Sequence, residues 1–241
     1  MQGKVKTRET SAVSCGDPSY QEDQHIKVVV VIHHFMKKIY VQKHPLHCGA
    51  ASYMNAKISP KRWNEKIEEE LHEKGRIRPS QIFLGPSFLE IDKSAELYVG
   101  RKGKMLDKKL LNLIKEVESL SGEELEKCEE YYRHLVEKNR GRVHFVENLD
   151  QMLERMEKLW KSNRKILVLI STKHFQNIIE KKRKDVPGTV PHWVYLVRVE
   201  EETYKIADSY TGEILALSKQ DFKESVRDLK RWGICYQFVS L

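Results

Sequence analysis

The sequence has few cysteines and no closely spaced pair of them. Its four cysteines, Cys15, Cys48, Cys128 and Cys235, are spread along the chain without a CxxC spacing. A zinc ribbon requires such pairs, and a disulfide-stabilised scaffold requires many more cysteines in a shorter chain. The cysteine usage therefore indicates a protein of a reducing compartment.

Long apolar segments are also missing. The longest apolar runs cover residues 28–32 and 166–170, which is far too short for a helix that spans a bilayer. Charged residues precede any apolar run at the N-terminus, unlike in a secretory signal. We therefore expect a cytoplasmic protein with no membrane span.

Charge is plentiful but is not concentrated. The 241 residues include 43 lysines and arginines against 35 aspartates and glutamates, a net charge of +8. Basic and acidic residues alternate along most of the chain, which is typical of a solvated surface rather than of a nucleic-acid interface. No internal repeat is visible, and the pattern specifies no oligomeric state. The length fits one large domain or one domain with an insertion.

The hydrophobic pattern predicts an α+β fold in which an N-terminal helical half precedes a C-terminal antiparallel sheet. Residues 1–25 form a polar arm, residues 26–241 form a single domain, and residues 76–142 form a helical elaboration that begins with turns and short strands over 76–103. The predicted helices cover residues 49–57, 60–74, 106–120, 122–139, 149–160 and 218–226. The predicted strands cover residues 26–36, 143–146, 165–171, 192–199, 203–207, 214–217 and 233–239.

One cysteine stands in a setting that suits a nucleophile. Cys48 is followed by Gly49, Ala50 and Ala51, so it begins a helix that other segments can approach closely. The unpaired N–H groups of a helix N-terminus favour an anion, and a thiolate is such an anion. Gln42 precedes Cys48 by six positions, within reach for its amide to donate to a developing oxyanion.

Nucleophilic cysteine chemistry also needs a base and a group that orients the base. His192 opens a predicted strand, so its side chain can project from the sheet edge into a cleft. The next strand ends at Asp208, before a turn that contains Gly212. Adjacent antiparallel strands would place Asp208 beside His192.

These residues, in this order, resemble the papain-like cysteine peptidases of the bacteriocin-processing, double-glycine-leader type and their soluble relatives. The resemblance covers about residues 26–75 and 143–241. It rests on four elements: Gln42, Cys48 with the small residues after it, His192-Trp193-Val194, and Asp208 followed by Gly212.

The resemblance implies a papain-like fold in which the nucleophile helix packs on the antiparallel sheet. It implies a hydrolase, a thiol protease or amidase, that acts on a peptide or protein substrate without a cofactor. Cys48 would be the nucleophile of a catalytic triad and His192 its general base and acid. Asp208 would orient His192, and Gln42 would bind the oxyanion together with the Cys48 backbone N–H.

Other interpretations of the same residues stay open. The chain is alternatively a catalytically inactive binding module that docks an acidic protein partner, or an acyl or peptidyl transferase that uses the same triad. A metal site at His44, His47 and Cys48 is disfavoured because adjacent residues do not readily converge on one ion. The basic run at 181–184 is a solvated loop, a phosphate site or a gate to the cleft.

Overall fold

The computed structural model of the protein describes residues 29–30, 38–100, 106–186 and 188–241. They form an α+β fold in which helices pack against one mixed sheet. The helices are α1 Cys48–Lys57, α2 Glu65–Gly75, α3 Gly85–Ile91, α4 Lys108–Glu118, α5 Gly122–Lys138, α6 Leu149–Lys161, α7 Gln176–Lys182 and α8 Lys219–Asp228. The strands are β1 Val29–Val30, β2 Glu96–Gly100, β3 Val143–Val146, β4 Ile166–Ser171, β5 Pro191–Val199, β6 Thr203–Asp208, β7 Glu213–Ser218 and β8 Gln237–Ser240.

The sheet has the strand order β1-β7-β6-β5-β4-β8-β2-β3. Strands β4 to β7 form the predicted antiparallel meander, and β8 lies antiparallel between β4 and β2. All residues of β4 are buried, as expected for a nearly continuous apolar strand. At the far edge, β3 pairs parallel with β2, so two strands that precede β4 in the chain complete this end of the sheet.

Helix α1 carries the small residues that follow Cys48, and these residues allow close packing. Ala50 and Ala51 are fully buried. Gly49 lies against the ring of Phe83, where a Cβ atom would be 2.3 Å from ring carbon Cδ1. The Ser52 hydroxyl donates to the Trp193 carbonyl at 2.7 Å, which fixes α1 on β5. The helix predicted at 49–57 is therefore confirmed.

The helix predicted at 60–74 starts later than its Ser59-Pro60 signal suggests. Residues Pro60–Arg62 form only a short 3-10 helix, and the chain is extended at Trp63. The Trp63 indole N–H donates to the Ile58 carbonyl at 2.9 Å and holds this turn. Asn64 is the true N-cap, because its side chain accepts from the backbone N–H of Ile67 at 3.0 Å.

The elaboration at 76–142 contains the predicted helices α4 and α5, but it is not purely helical. Helix α3 and strand β2 occupy a region for which the sequence predicts turns and short strands, so the strand agrees with the prediction and the helix does not. The glycine and proline at 85 and 86 open α3 instead, and the Gly85 backbone N–H donates to the Gln237 side chain at 2.8 Å. Strand β2 pairs with β8 and β3, so this segment belongs to the central sheet.

Several smaller predictions have mixed outcomes. Of the strand predicted at 26–36, the structure describes Val29–Val30 as a strand, and the remainder and the arm 1–25 lie outside the described residues. The last strand begins at Gln237 because a 3-10 turn and Gly233, with φ of +69°, precede it. Within the described ranges, no helix combines the length and apolar composition needed to cross a membrane.

The contact between Gly49 and Phe83 generates a stability prediction. Gly49→Ala forces Cβ into the ring and should lower the free energy of unfolding by about 1–3 kcal/mol, as overpacking does. Chemical denaturation measures the change. Gly141→Ala is the matched control, because no atom lies within 4 Å of its added Cβ. Equal stability of the two variants would contradict the close packing of α1.

Candidate active site

His192 and Asp208 come together through the register of β5 and β6. Tyr195 is paired with Ala207, so the same register places residue 208 opposite 194 and residue 210 opposite 192. Asp208 is thus the diagonal neighbour of His192 on the same face of the sheet. The His192 Nε2 atom lies 2.7 Å from Asp208 Oδ1, and both side chains are fully buried.

The Asp208 carboxylate is held by several donors. Besides His192, its Oδ1 accepts from the Tyr210 backbone N–H at 3.1 Å. Its Oδ2 accepts from the backbone N–H and the hydroxyl of Thr211 at 3.0 and 2.6 Å. Burial by itself raises the pKa of Asp208, but the hydrogen bonds from His192 and Thr211 outweigh it and lower that pKa. The buried carboxylate therefore stays charged.

The turn between β6 and β7 shapes the surroundings of His192. The backbone N–H of Gly212 donates to the Asp208 carbonyl at 3.0 Å, and Gly212 has φ of +72°, which favours glycine. Tyr210, within this turn, stacks on the His192 imidazole with ring centroids 4.2 Å apart. The turn thus both donates to Asp208 and covers His192.

The other ring nitrogen of His192, Nδ1, is not bound to Asp208. Nδ1 is buried and has no hydrogen-bond partner of good geometry within the part of the chain that the structure describes. Burial by itself lowers the pKa of His192, but Asp208 and the neighbouring Cys48 outweigh it and raise the pKa to about 9. His192 is therefore stabilised as an imidazolium that can exchange its Nδ1 proton with Cys48.

Cys48 is the first residue of α1, and its side chain is nearly buried. The N-cap residue, His47, makes no side-chain cap hydrogen bond, and the first turn of the helix contains no acidic residue. The N–H groups of this turn are therefore available to an anion at Cys48. The structure thus brings Cys48, His192 and Asp208 into one cluster.

The structure uses Gln42 differently from the predicted oxyanion donor. Its side-chain amide donates to the carbonyls of His44 and Pro45 at 2.8 and 3.1 Å. Its Oε1 atom accepts from the Ser209 hydroxyl at 2.7 Å. Gln42 therefore fastens the loop before Cys48 to the turn after Asp208. Its oxyanion role, which requires one of these bonds to be exchanged for substrate, stays a prediction.

Sequence reasoning missed a buried carboxylate behind this loop. Glu68 on α2 accepts from the Tyr40 hydroxyl at 2.6 Å, from the Lys43 backbone N–H at 3.1 Å and from His47 Nδ1 at 3.1 Å. Burial by itself raises the pKa of Glu68, but the hydrogen bonds from His47 and Tyr40 outweigh it and lower that pKa. Glu68 lies in a run of three glutamates, which gave no sign that one of them is buried.

The histidines near Cys48 form a stack of rings. The His47 ring lies 4.6 Å from that of His44 and 4.0 Å from that of His72. Burial lowers the pKa of His72 to about 4, so this ring is neutral near pH 7. Among the described residues, no three His, Cys, Asp or Glu side chains are arranged to hold a metal ion.

Part of the basic run at 181–184 is attached to the site. Arg183 donates to the Gln42 carbonyl at 2.9 Å, and its guanidinium lies 5.8 Å from the centre of the Tyr210 ring. Lys182 forms an ion pair with Glu213. Lys182 thus holds the end of α7 against β7, and Arg183 holds the residues after α7 against the segment before Cys48.

A cavity of about 490 Å³ opens beside the cluster, and Cys48 is part of its wall. Trp193 and Tyr210 form the side next to the sheet. Residues of the elaboration, including Phe83 and Leu113, also line it. The volume is typical of a small-molecule or peptide binding site.

Comparisons with known proteins found no relative of this chain. No family model matches the chain, and no curated protein or solved structure matches it. The function is therefore argued from the site itself.

The buried pair generates a pH prediction. In Asp208→Asn the buried imidazolium loses its counter-charge, so the pKa of His192 should fall from about 9 by at least about one unit. NMR titration of the imidazole measures this pKa. Asp150→Asn is the control, because Asp150 is exposed and far from the cluster in sequence.

The same shift predicts how stability depends on pH. An unfolded histidine titrates near pH ~6.5, so the contribution of protonated His192 is complete below that pH. It is lost as the pH rises towards about 9. Asp208→Asn should reduce this loss between the two values, because the folded pKa of His192 then lies closer to the unfolded one. A variant that keeps the wild-type slope would contradict the assignment of the raised pKa to His192.

Glu68 generates a second stability prediction. Glu68→Gln replaces one buried acceptor oxygen with an NH₂ group that faces donors, and should lower the free energy of unfolding by about 2 kcal/mol or more. The neighbouring Glu69 is exposed, so Glu69→Gln should change it by less than about 0.5 kcal/mol. Urea denaturation at neutral pH compares the two variants. A similar small effect of both would show that Glu68 does not anchor the loop.

Proposed function

We propose that the protein is a papain-like cysteine hydrolase, a peptidase or amidase that acts by acyl transfer through a thioester. One observation carries the proposal. His192 binds the buried Asp208 through one ring nitrogen, while its buried Nδ1 atom has no hydrogen-bond partner among the described residues and neighbours Cys48, at a helix N-terminus that no side chain caps. Acyl transfer by a cysteine requires a nucleophile, a base beside it and a group that orients the base, and Cys48, His192 and Asp208 would fill these roles.

In the first half of the reaction, the Cys48 sulfur attacks the carbonyl carbon of the substrate and a C–S bond forms. The carbonyl oxygen becomes an oxyanion. His192 then gives its Nδ1 proton to the leaving amine as the C–N bond breaks. Asp208 keeps its charge throughout, and its contribution is to orient the imidazole and stabilise the imidazolium.

The oxyanion lies next to donors that the fold provides. The Cys48 backbone N–H at the start of α1 is one such donor, and the helix N-terminus adds a favourable field. Gln42 would become the second donor if its amide exchanged a bond to the loop for the substrate oxygen. That exchange would tie oxyanion binding to the position of the loop before Cys48.

In the second half of the reaction, water resolves the thioester. His192 takes a proton from the water as the water oxygen bonds to the acyl carbon, the C–S bond then breaks, and the proton stays within the His192–Cys48 pair. An acyl or peptidyl transferase would use the same residues with another acceptor in place of water. A cytoplasmic location suits the proposal, because the chemistry requires Cys48 to stay reduced.

The pH dependence of Cys48 alkylation tests the proposal. We expect iodoacetamide to label Cys48 rapidly down to below about pH 7, whereas an ordinary thiol at about pH 6 reacts several hundredfold slower than at its maximum. His192→Ala should remove this reactivity because the thiolate loses its imidazolium partner. Peptide mapping by mass spectrometry separates Cys48 from the other cysteines.

The matched control is His134→Ala, since His134 is exposed on α5. Its labelling profile should equal that of the wild type. Circular dichroism checks that the His192 variant is folded, and Asp208→Asn provides a second variant of the same cluster. Labelling of wild-type Cys48 only near pH ~8.5 would reject the hydrolase and favour the binding module that docks an acidic partner.

A further inference from the structure

The cavity beside Cys48 is lined almost entirely by hydrocarbon. Its wall includes Leu110, Leu113 and Ile114 of α4, together with Trp193, Trp232 and Ile234. Cys48 is the group in this wall that can act as a nucleophile. A ligand that fills the cavity therefore lies next to Cys48.

The carboxylate and hydroxyl side chains in the wall already have partners. Glu118 accepts from the Ser80 hydroxyl and the Gln81 backbone N–H at 2.7 and 2.8 Å. Both carboxylate oxygens of Asp185 accept from Arg183, and the Tyr210 hydroxyl donates to the Pro45 carbonyl at 3.0 Å. A peptide in this cavity would bury an N–H and a C=O group per residue against a wall with few free partners.

Large apolar side chains are also exposed at the cavity. Val117 at the end of α4 is 64% exposed, and Leu46 in the loop before Cys48 is 39% exposed. Both residues belong to the lining of the cavity. A hydrocarbon chain that lies against them would remove this apolar surface from water. The burial of apolar surface is favourable, so it would stabilise the bound chain.

We propose that the cavity binds the hydrocarbon chain of an acyl group, and that the substrate is an amide or thioester of a long-chain acid. This inference rests on the proposed cysteine hydrolase and specifies its substrate class. An acyl chain brings a single polar group, its carbonyl, and that group lies at Cys48 while the chain lies along α4. The elaboration at 76–142 thereby becomes the acyl-binding part of the protein.

The chemistry follows the steps already given. The Cys48 sulfur forms a bond to the acyl carbon, and the bond from that carbon to the leaving amine or thiol breaks. His192 supplies the proton that the leaving group requires. Water then cleaves the thioester and releases the free long-chain acid, and the sulfur recovers its proton from His192.

A series of p-nitrophenyl esters with acetyl, hexanoyl, octanoyl and dodecanoyl chains tests the inference, at concentrations where the esters are monomeric. The second-order rate of nitrophenolate release should rise at least about tenfold from acetyl to octanoyl, because each buried methylene favours binding. Cys48→Ala should abolish the release. The p-nitrophenyl ester of a blocked leucine, with the same leaving group, represents a peptide substrate.

Variants of α4 test the wall directly. Leu113→Gln and Val117→Gln place an amide in the cavity and should reduce the octanoyl rate at least about threefold, while the acetyl rate changes less. Val117 is exposed, so its replacement does not disturb the core. Leu111→Gln is the matched control, because Leu111 is a half-buried residue of the same helix outside the cavity.

The outcomes separate this inference from the proposed function. Cys48-dependent release with equal rates for all chain lengths would overturn the acyl cavity and leave the hydrolase intact. A blocked leucine ester that reacts faster than the octanoyl ester would assign the cavity to peptide side chains and overturn the inference as well. No Cys48-dependent release from any ester would count against the hydrolase itself, and the inference would fall with it.

Discussion

The buried negative charge of Asp208 is the constraint on which the candidate site depends. A carboxylate removed from water is stable only where donors and an opposite charge replace its hydration. The turn after β6 supplies backbone and hydroxyl donors, and His192 supplies the positive charge. Buried ion pairs of this kind add little net stability, because desolvation offsets their attraction. They are instead typical of sites where a protonation state has to be set.

The loop before Cys48 is held from two directions, and this links the fold to the site. On one side Gln42 contacts Ser209 in the turn that binds Asp208. On the other side Glu68 of α2 binds the backbone and His47. Because α1 also rests on β5, the nucleophile and the base are positioned by packed elements rather than by a free loop. Such support is what a reacting pair requires to keep its geometry.

The sequence was informative where chemistry and periodicity act over short distances. Helices α4, α5 and α6 follow from apolar residues at helical spacing. The proximity of His192 and Asp208 follows from two strands that are consecutive in the chain and therefore adjacent in the sheet. Cys48 was singled out because small residues follow it. These inferences use local pattern together with one rule of topology.

The remaining features depend on contacts between distant segments. A glutamate within a charged run looks the same whether it is exposed or buried, so Glu68 was not visible. The start of α2 was misplaced because two capping signals compete and the side chain of Trp63 decides between them. Strand β2 has only five residues in a segment rich in turn-forming residues, so the sequence did not define its bounds or its partners. One partner of Gln42, Ser209, lies in a turn that is 167 residues away in the chain.

The position of β2 has a consequence for modularity. In the sequence, the segment 76–142 looks like an insertion, because it separates the two parts of the chain that carry the resemblance to papain-like peptidases. Yet β2 lies between β8 and β3 and is hydrogen-bonded to both. Excising the segment would leave β8 with an unpaired edge and β3 with no partner on that side. The segment therefore cannot be removed as a unit without breaking the sheet.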